Sequence, residues 1–239
     1  MFFKNFKVWE TELAGRKLSI ETGKMAGLAN AAVMVRYGDT NVLCTVTASA
    51  KPREGVDFFP LSVDYEEKMY SVGRIPGSFQ RREGKASEKA VLTSRCIDRP
   101  IRPLFPKDLR NDCTVVATVM SVDPDCSPEI AAMIGVSAAI AISDIPWDGP
   151  ISGVNVGLVD GEIVINPTLE QRAKTDLNLT VASTADLVAM IEAGGNEISD
   201  DLMFDCIMAG HEENKKIVKF IQGIVDEVGK PKFAYESSD

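Results

Sequence analysis

Residues 77–106 read GSFQRREGKASEKAVLTSRCIDRPIRPLFP and join a glycine-punctuated segment to an arginine-rich one. Up to Ser87 the stretch has no apolar period, which predicts an exposed loop. Ser87 followed by Glu88 predicts a helix start, because serine caps the first turn and an acid there favours the helix dipole. Pro100 is expected to end or kink this helix near Arg99. The stretch therefore predicts a basic loop leading into a basic helix.

The charge of the chain is unevenly distributed around this stretch. The 239 residues carry a formal net charge of −9, which by itself opposes nucleic acid as a partner. The segment from Arg74 to Arg110, however, contains ten basic and four acidic residues, so it carries a net charge of +6 and the remainder carries −15. A basic segment in an acidic protein is expected where a polyanion binds at one place and is repelled elsewhere. A solvated charged surface is the alternative, and charge alone leaves both open.

The remaining patterns predict an α+β fold. Ser127 and Pro128 begin an almost wholly apolar segment ending near Ser143, which is typical of a core helix. Ser199 opens a long amphipathic helix that ends near Gly229. Val-, Leu- and Thr-rich runs predict strands at 17–22, 32–37, 41–48, 59–65, 114–122, 153–159, 162–166, 177–182 and 187–193. Runs of strands with few helices between them favour α+β over a doubly wound sheet.

Motifs for other chemistries are absent from the sequence. It contains no G-x-x-x-x-G-K-[ST], G-x-G-x-x-G after a strand, G-x-S-x-G or H-E-x-x-H. The single histidine, His211, is expected on the surface at the polar end of the last helix, which disfavours a His-based triad or a zinc site. Asp123 and Asp125 precede a helix, where two acids more often serve the turn than a metal. Residue chemistry therefore supports only an arginine-rich binding face.

The cysteines and the apolar segments bear on the cellular compartment. The five cysteines are widely spaced with no C-x-x-C, which predicts buried, reduced thiols in a cytoplasmic protein. No apolar run reaches the roughly 20 residues that a membrane helix needs. The first residues, MFFKNFKVWETE, do not resemble a secretory signal. We expect a cytoplasmic protein without a membrane partner.

The stretch 77–106 closely resembles the segment by which bacterial polynucleotide phosphorylases are identified. The resemblance continues in four further segments. They read MAGLANAAVMVRYGDTNVLCTV (25–46), DFFPLSVDYEEKMYSVGRIPGSF (57–79), AAMIGVSAAIAISDIPWDGPI (131–151) and IMAGHEE (207–213). The matching segments occur in order over nearly the whole chain and resemble the first half of that family.

The resemblance implies a ribonuclease-PH-like α+β fold, in which mixed sheets pack with helices and include ribosomal-protein-like βαβ units. In this family the domain is duplicated, and a small helical domain joins the two copies. By this resemblance, residues 1–230 form the first core domain and 231–239 begin the linker towards the missing helical domain. Three chains form a ring around a channel for single-stranded RNA. Inorganic phosphate attacks the 3′-terminal linkage processively and releases nucleoside diphosphates. Mg²⁺ is expected in the missing second half, and RNA-degradation proteins are possible partners.

The resemblance also assigns an RNA-binding role to two sets of residues. The loop set lines the constriction of the channel, where an aromatic ring stacks on bases and arginines hold phosphates: Phe79, Gln80, Arg81 and Arg82. The family usually has an apolar or aromatic residue at the position of Gln80. The second set matches arginines near the reacting RNA end: Arg95, Arg99 and Arg102. Their alternative role is salt bridging to Asp98 or Asp108 and helix capping.

Five positions depart from the catalytic half of the family. Pro128 and Glu129 align with serines that bind the attacking phosphate, and neither supplies a hydroxyl. Arg172, Asn178 and Thr180 align with the metal-binding aspartates and a lysine. The resemblance therefore implies a chain with no catalytic and no metal-binding residue of its own, and it opposes an active ribonuclease PH. A free-standing, non-catalytic RNA-binding ring subunit of an exosome-like complex remains the alternative.

Overall fold

Alternating apolar residues build a six-stranded sheet in the first half of the chain. The computed structural model describes residues 3–235. The sheet consists of β1 (Lys7–Leu13), β2 (Arg16–Thr22), β3 (Ala31–Tyr37), β4 (Thr40–Pro52), β5 (Leu61–Glu67) and β6 (Asn111–Ser121). The strand order is β1-β2-β3-β4-β6-β5, and only β5 pairs in parallel, with β6. This parallel pair needs a crossover connection, which carries the basic loop and helix.

A four-stranded antiparallel sheet follows in the second half of the described chain. It contains β7 (Ser152–Val159), β8 (Glu162–Ile165), β9 (Leu177–Ser183) and β10 (Val188–Gly195). Its order is β10-β9-β7-β8. The helices are α1 (Glu88–Ile101), α2 (Pro128–Ile142), the one-turn α3 (Leu169–Arg172) and α4 (Asp200–Val228). Two sheets packed with four helices confirm the predicted α+β class, and β5-α1-β6 is a βαβ unit.

Helix α2 forms the centre of the hydrophobic core. Every residue from Ile130 to Ile142 is buried, and α2 contacts β3, β4, β6, β7 and α4. Gly135 allows the close approach to the six-stranded sheet, because an added Cβ would lie 2.6 Å from the Cys44 sulfur and 2.7 Å from a Val35 methyl carbon. The buried side chains of both sheets belong to one continuous cluster. The N-terminus of α2 is thereby held rigidly beside α1.

Helix α1 begins as predicted but ends later than predicted. The Ser87 hydroxyl accepts a hydrogen bond from the Ala90 amide at 3.0 Å and caps the helix. The helix continues through Pro100 to Ile101, and a 3-10 turn (Arg102–Leu104) follows. Proline is tolerated there because the helix ends one residue later, so a single backbone bond is lost.

His211 is buried, and the prediction of a surface position was wrong. It is only 5% exposed and lies on α4 beside Gly210, on the helix face that packs against β7 and β9. An added Cβ at Gly210 would lie 3.0 Å from Val156, so the helix approaches the sheet closely here. The Asn214 amide donates to the Val181 carbonyl at 3.0 Å. The close packing at Gly210 draws these polar neighbours into the interior.

The segment after α4 folds back on the core. The Lys230 and Phe233 amides donate to the carbonyls of Ile142 and Asp144 at 3.0 and 2.7 Å. The Lys232 ammonium donates to carbonyls at the C-terminus of α2, and burial lowers its pKa. The Tyr235 hydroxyl donates to Asp108 at 3.0 Å. The aromatic residues of this segment therefore have core partners, and the rest of the predicted linker, 236–239, lies outside the described residues.

The strand β1 and the short helix α3 were not predicted from the sequence. β1 alternates exposed and partly buried residues at the edge of its sheet, and α3 is held by a Thr168–Gln171 capping box. Both are short or strongly polar, which weakens the periodic signal. In the described chain, no helix is long and apolar enough to cross a membrane.

Candidate nucleic-acid interface and the adjoining cleft

The tip of the basic loop presents an aromatic ring to solvent. Phe79 is fully exposed, at 101%. The Arg81 amide donates to the Ser78 carbonyl at 3.0 Å, and Arg81 takes a left-handed backbone conformation with φ 53°. The Ser78 hydroxyl is within hydrogen-bond distance of both backbone groups of Arg82. The tip is thus a defined tight turn that exposes its phenylalanine.

The other predicted loop residues are also exposed. Gln80, Arg81 and Arg82 all point into solvent. Within residues 3–235 neither arginine makes an ion pair, and the Arg81 guanidinium donates one long hydrogen bond, to the Pro76 carbonyl at 3.5 Å. Their guanidinium groups are therefore available to phosphate oxygens, which arginine holds through paired hydrogen bonds.

The helix arginines differ from one another. Arg95 and Arg99 lie on the exposed face of α1, as their spacing predicts. Arg99 approaches Glu192 of β10 at 3.6 Å. Arg102 forms a bidentate pair with Asp98 at 2.8 and 3.0 Å and donates to the Leu61 carbonyl at 3.1 Å. The Arg102 side chain is therefore committed within the chain, whereas Arg95 has no ion pair among the described residues.

A cleft of about 800 Å³ lies beside α1 and gathers residues that are remote in sequence. It is lined by α1, the N-terminus of α2, β9 and the end of β10. Four of the five departures named from the sequence line it together: Glu129, Arg172, Asn178 and Thr180. Lys89, Asn155 and Glu192 also line the cleft and were not predicted. They match no motif, and only the packing of the folded chain brings them to the cleft. The four departures are the positions that the resemblance aligns with catalytic groups of the family, and the structure brings them together in one cleft.

Glu129 fills the anion position at the start of α2. Its carboxylate pairs with Lys89 at 2.7 Å and accepts the Ser127 hydroxyl at 2.5 Å. Burial by itself would raise the pKa of Glu129, but the hydrogen bonds from Lys89 and Ser127 outweigh it and hold the pKa below its ordinary value. The glutamate is therefore ionised at neutral pH. It occupies the helix N-terminus that would otherwise attract phosphate.

Three other residues that line the cleft do not suit a divalent cation: Arg172, Asn178 and Thr180. The Arg172 guanidinium donates to the Pro124 carbonyl and places a positive charge there. The Thr180 hydroxyl donates to the Asn155 side-chain oxygen at 2.9 Å, and Asn178 is a neutral amide. Mg²⁺ prefers carboxylate oxygens, and none of the three residues supplies one. These residues therefore do not fit the magnesium site that the resemblance implies for the catalytic half.

Two further groups near the cleft are accounted for by structure. Burial raises the pKa of Cys96 to about 11, so its thiol stays protonated and is a poor nucleophile. Asp123 accepts the Asp125 amide at 3.0 Å, which lowers the Asp123 pKa, and Asp125 accepts the Leu169 amide at 2.8 Å. Asp123 thus serves the turn before α2, whereas Asp125 links that turn to the first residue of α3.

The chain belongs to the 3′ exoribonuclease family, with a ribonuclease-PH-like fold. Residues 14–146 match domain 1 of this family and residues 149–213 match domain 2. The two matches correspond to the halves of the chain that carry the six-stranded and the four-stranded sheet. The structure of rice (Oryza sativa) Rrp46 superposes with a TM-score of 0.69 at 15% identity, covering 93% of this chain and 95% of that one. That likeness shows the fold.

Bacterial polyribonucleotide nucleotidyltransferases are much closer in sequence. The protein from Ruminiclostridium cellulolyticum is 66% identical over 98% of this chain, and that from Lachnoclostridium phytofermentans is 61% identical over 98%. The chain spans about a third of the length of these curated relatives, 33% and 34% respectively. The resemblance inferred from the sequence is confirmed.

Proposed function

We propose that this chain is the N-terminal, RNA-gripping part of a polyribonucleotide nucleotidyltransferase that degrades single-stranded RNA from the 3′ end. The complete enzyme uses inorganic phosphate and Mg²⁺, releases nucleoside diphosphates and acts as a cytoplasmic homotrimeric ring. This chain contributes RNA entry, RNA positioning and ring contacts, whereas the remaining two thirds supply the chemistry. The observation that carries the proposal is an exposed Phe79 followed closely by Arg81 and Arg82, neither of which makes an ion pair within residues 3–235.

The proposed roles, RNA binding without catalysis, rest on two regions next to α1: the loop that precedes it and the cleft beside it. The loop side combines a ring that can stack on any base with cations that can hold any phosphate, which suits a processive enzyme without sequence preference. The cleft side holds an ionised Glu129 where phosphate would bind and the Arg172 guanidinium where a metal would bind. General acid–base and metal-assisted phosphorolysis therefore lack their groups in this chain.

The catalytic part of the proposal is tested with purified chain, RNA, phosphate and Mg²⁺. We expect no release of nucleoside diphosphates, because the phosphate-binding hydroxyls and acidic ligands are absent. Turnover by the pure chain would refute the assignment. The binding part is tested by salt titration: affinity for single-stranded RNA falls steeply with salt as counterions are released, and depends little on base sequence. A salt-independent affinity would mean that the arginines are paired internally.

A free-standing RNA-binding ring subunit of an exosome-like complex is the competing function. The likeness to Rrp46 concerns the fold alone, whereas 66% identity to a polyribonucleotide nucleotidyltransferase favours the enzyme. The reading frame downstream of Asp239 separates the two. A second copy of the domain there supports the phosphorolytic enzyme, and a stop codon supports the free-standing subunit.

A further inference from the structure

The basic loop contains one acidic residue, and its position opposes the electrostatics of RNA binding. Between Tyr70 and Ser87 the charged residues are Arg74, Arg81, Arg82, Lys85 and Glu83. Glu83 directly follows the two arginines of the tip. A carboxylate there repels the phosphates that its neighbours attract, at separations too short for salt to screen completely. Within the chain its charge acts on Lys68, whose pKa is raised first by the hydrogen bond to Glu66 and also by Glu83. The Glu83 carboxylate oxygen has a second partner.

The Glu83 carboxylate closes the base of the loop. Its Oε1 accepts the backbone N–H of Met69 at 2.9 Å, across fourteen residues of chain. Met69 opens a 3-10 turn (Met69–Val72), whose first N–H groups have no partner within the turn. Beside this bond the Ser87 hydroxyl donates to Glu67 at 3.0 Å. Two hydrogen bonds to carboxylates thus join the segment that enters the loop, at Glu67 and Met69, to the segment that leaves it, at Glu83 and Ser87.

The tip has only local bonds of its own. The turn at Ser78 and Arg81 is held by backbone and hydroxyl contacts within five residues, and every side chain from Gly77 to Lys89 is exposed. No hydrophobic packing therefore fixes where the tip lies relative to the sheet. The closure by Glu83 and Ser87 is what sets the direction of the loop.

We infer that Glu83 is a positioning residue for RNA capture: its hydrogen bond to the Met69 amide holds Phe79, Arg81 and Arg82 in place. The inference rests on the proposed function, since it concerns the same RNA path. Glu83 does not touch RNA. It acts by reducing the number of loop conformations that RNA would otherwise have to restrict on binding.

Two substitutions separate the hydrogen bond from the charge. Glu83→Ala and Glu83→Gln both remove the negative charge, so electrostatics alone predicts tighter RNA binding by both. Only glutamine retains an oxygen that accepts the Met69 N–H. In the full-length protein, we expect Glu83→Ala to weaken binding of a long single-stranded RNA about three- to tenfold, the range that one net hydrogen bond supports. Glu83→Gln should bind at least as tightly as the wild type.

Hydrogen exchange provides a readout that does not involve RNA. The Met69 amide should exchange faster in Glu83→Ala than in the wild type or in Glu83→Gln. Glu83→Ala should also not weaken RNA binding further in a variant that already lacks Phe79, Arg81 and Arg82, because the Glu83–Met69 hydrogen bond acts on RNA only through those side chains. An unchanged melting temperature is expected of both single variants, since Glu83 is exposed.

The outcomes distinguish this inference from the proposed function. Equal RNA affinity of Glu83→Ala and Glu83→Gln overturns the positioning role, and so does an unchanged Met69 exchange rate in Glu83→Ala. In either case the RNA-binding loop stands if its own triple substitution still weakens binding. A triple substitution without effect on long RNA overturns the loop's assignment in the proposed function, and the positioning role falls with it.

Discussion

The arginines of the loop and those following α1 belong to one basic stretch, yet the structure uses them differently. Arg81 and Arg82 sit on an exposed turn and make no ion pair within residues 3–235. Arg102, on the other hand, is held by both oxygens of Asp98 and by a carbonyl of β5. A guanidinium already satisfied within the chain gains less from a phosphate, because it must first give up its own partner. Residue type alone therefore does not identify an RNA contact.

Between these extremes lie Arg95 and Arg99 on the exposed face of α1. Arg95 has no ion pair in the described part of the chain, and Arg99 has a long, solvent-exposed contact with Glu192 at 3.6 Å. Exposed pairs of this kind contribute little to stability, so Arg99 exchanges this partner easily. The comparison ranks the arginines for RNA binding: the loop pair and Arg95 first, Arg99 next and Arg102 last.

The largest expected effect is that of removing the loop tip. Phe79→Ala combined with Arg81→Ala and Arg82→Ala should lower kcat/KM of the full-length enzyme for long RNA about a hundredfold. The estimate combines a lost stacking contact of about 1–3 kcal/mol with two lost phosphate contacts. An oligonucleotide too short to span the channel should be affected much less. Equal losses for both lengths would show that the loop does not line the channel.

Substituting the helix arginines should give a smaller but length-independent effect. Arg95→Ala with Arg99→Ala should lower kcat/KM about tenfold for short and long RNA alike, because these residues are expected near the reacting end. The same two substrates provide the measurement. A loss restricted to long RNA would place these arginines on the entry path and merge them with the loop into one basic patch.

Substituting Arg102 tests whether its hydrogen bonds within the chain keep it from binding RNA. Arg102→Ala leaves Asp98 and the Leu61 carbonyl without their donor and should lower the free energy of unfolding by about 1 kcal/mol. The RNA affinity of the folded variant should change less than about twofold, because the Arg102 guanidinium is already paired within the chain. Denaturant unfolding and RNA titration are compared on one preparation. A large loss of affinity with unchanged stability would return Arg102 to the RNA site.

The last effect concerns the cleft; it is similar in size to that of Arg102→Ala at neutral pH and vanishes in acid. Because the folded-state pKa of Glu129 is lowered, its contribution to stability is present above the ordinary glutamate pKa and is lost as pH falls through the folded value. Glu129→Gln should therefore be less stable than the wild type by roughly 1 kcal/mol at pH 7, with the difference closing in acid. RNA affinity should not change. A stability difference that is constant with pH would exclude the charged pair with Lys89 as its cause.

The sequence determined the local structure and the identity of the fold. Ser87 and Glu88 start α1, and the apolar run after Pro128 is the core helix, because caps and periodic burial act over a few residues. The loop around Phe79 was predictable as exposed because it is punctuated by glycines and has no apolar period. The family resemblance, and with it the five departures from the catalytic half, was also readable without coordinates. The roles of the RNA-binding residues remain predictions.

Only the tertiary structure decided which charges are already partnered and which polar groups are buried. His211 looked like a surface residue, but the close approach of α4 at Gly210 buries it. Lys89 and Glu129 are forty residues apart in sequence, yet they form an ion pair at 2.7 Å in the lining of the cleft. Polar side chains carry no periodic signal of their partners, since an ion pair depends on which surfaces pack together. That packing is a property of the whole core, and no single segment encodes it.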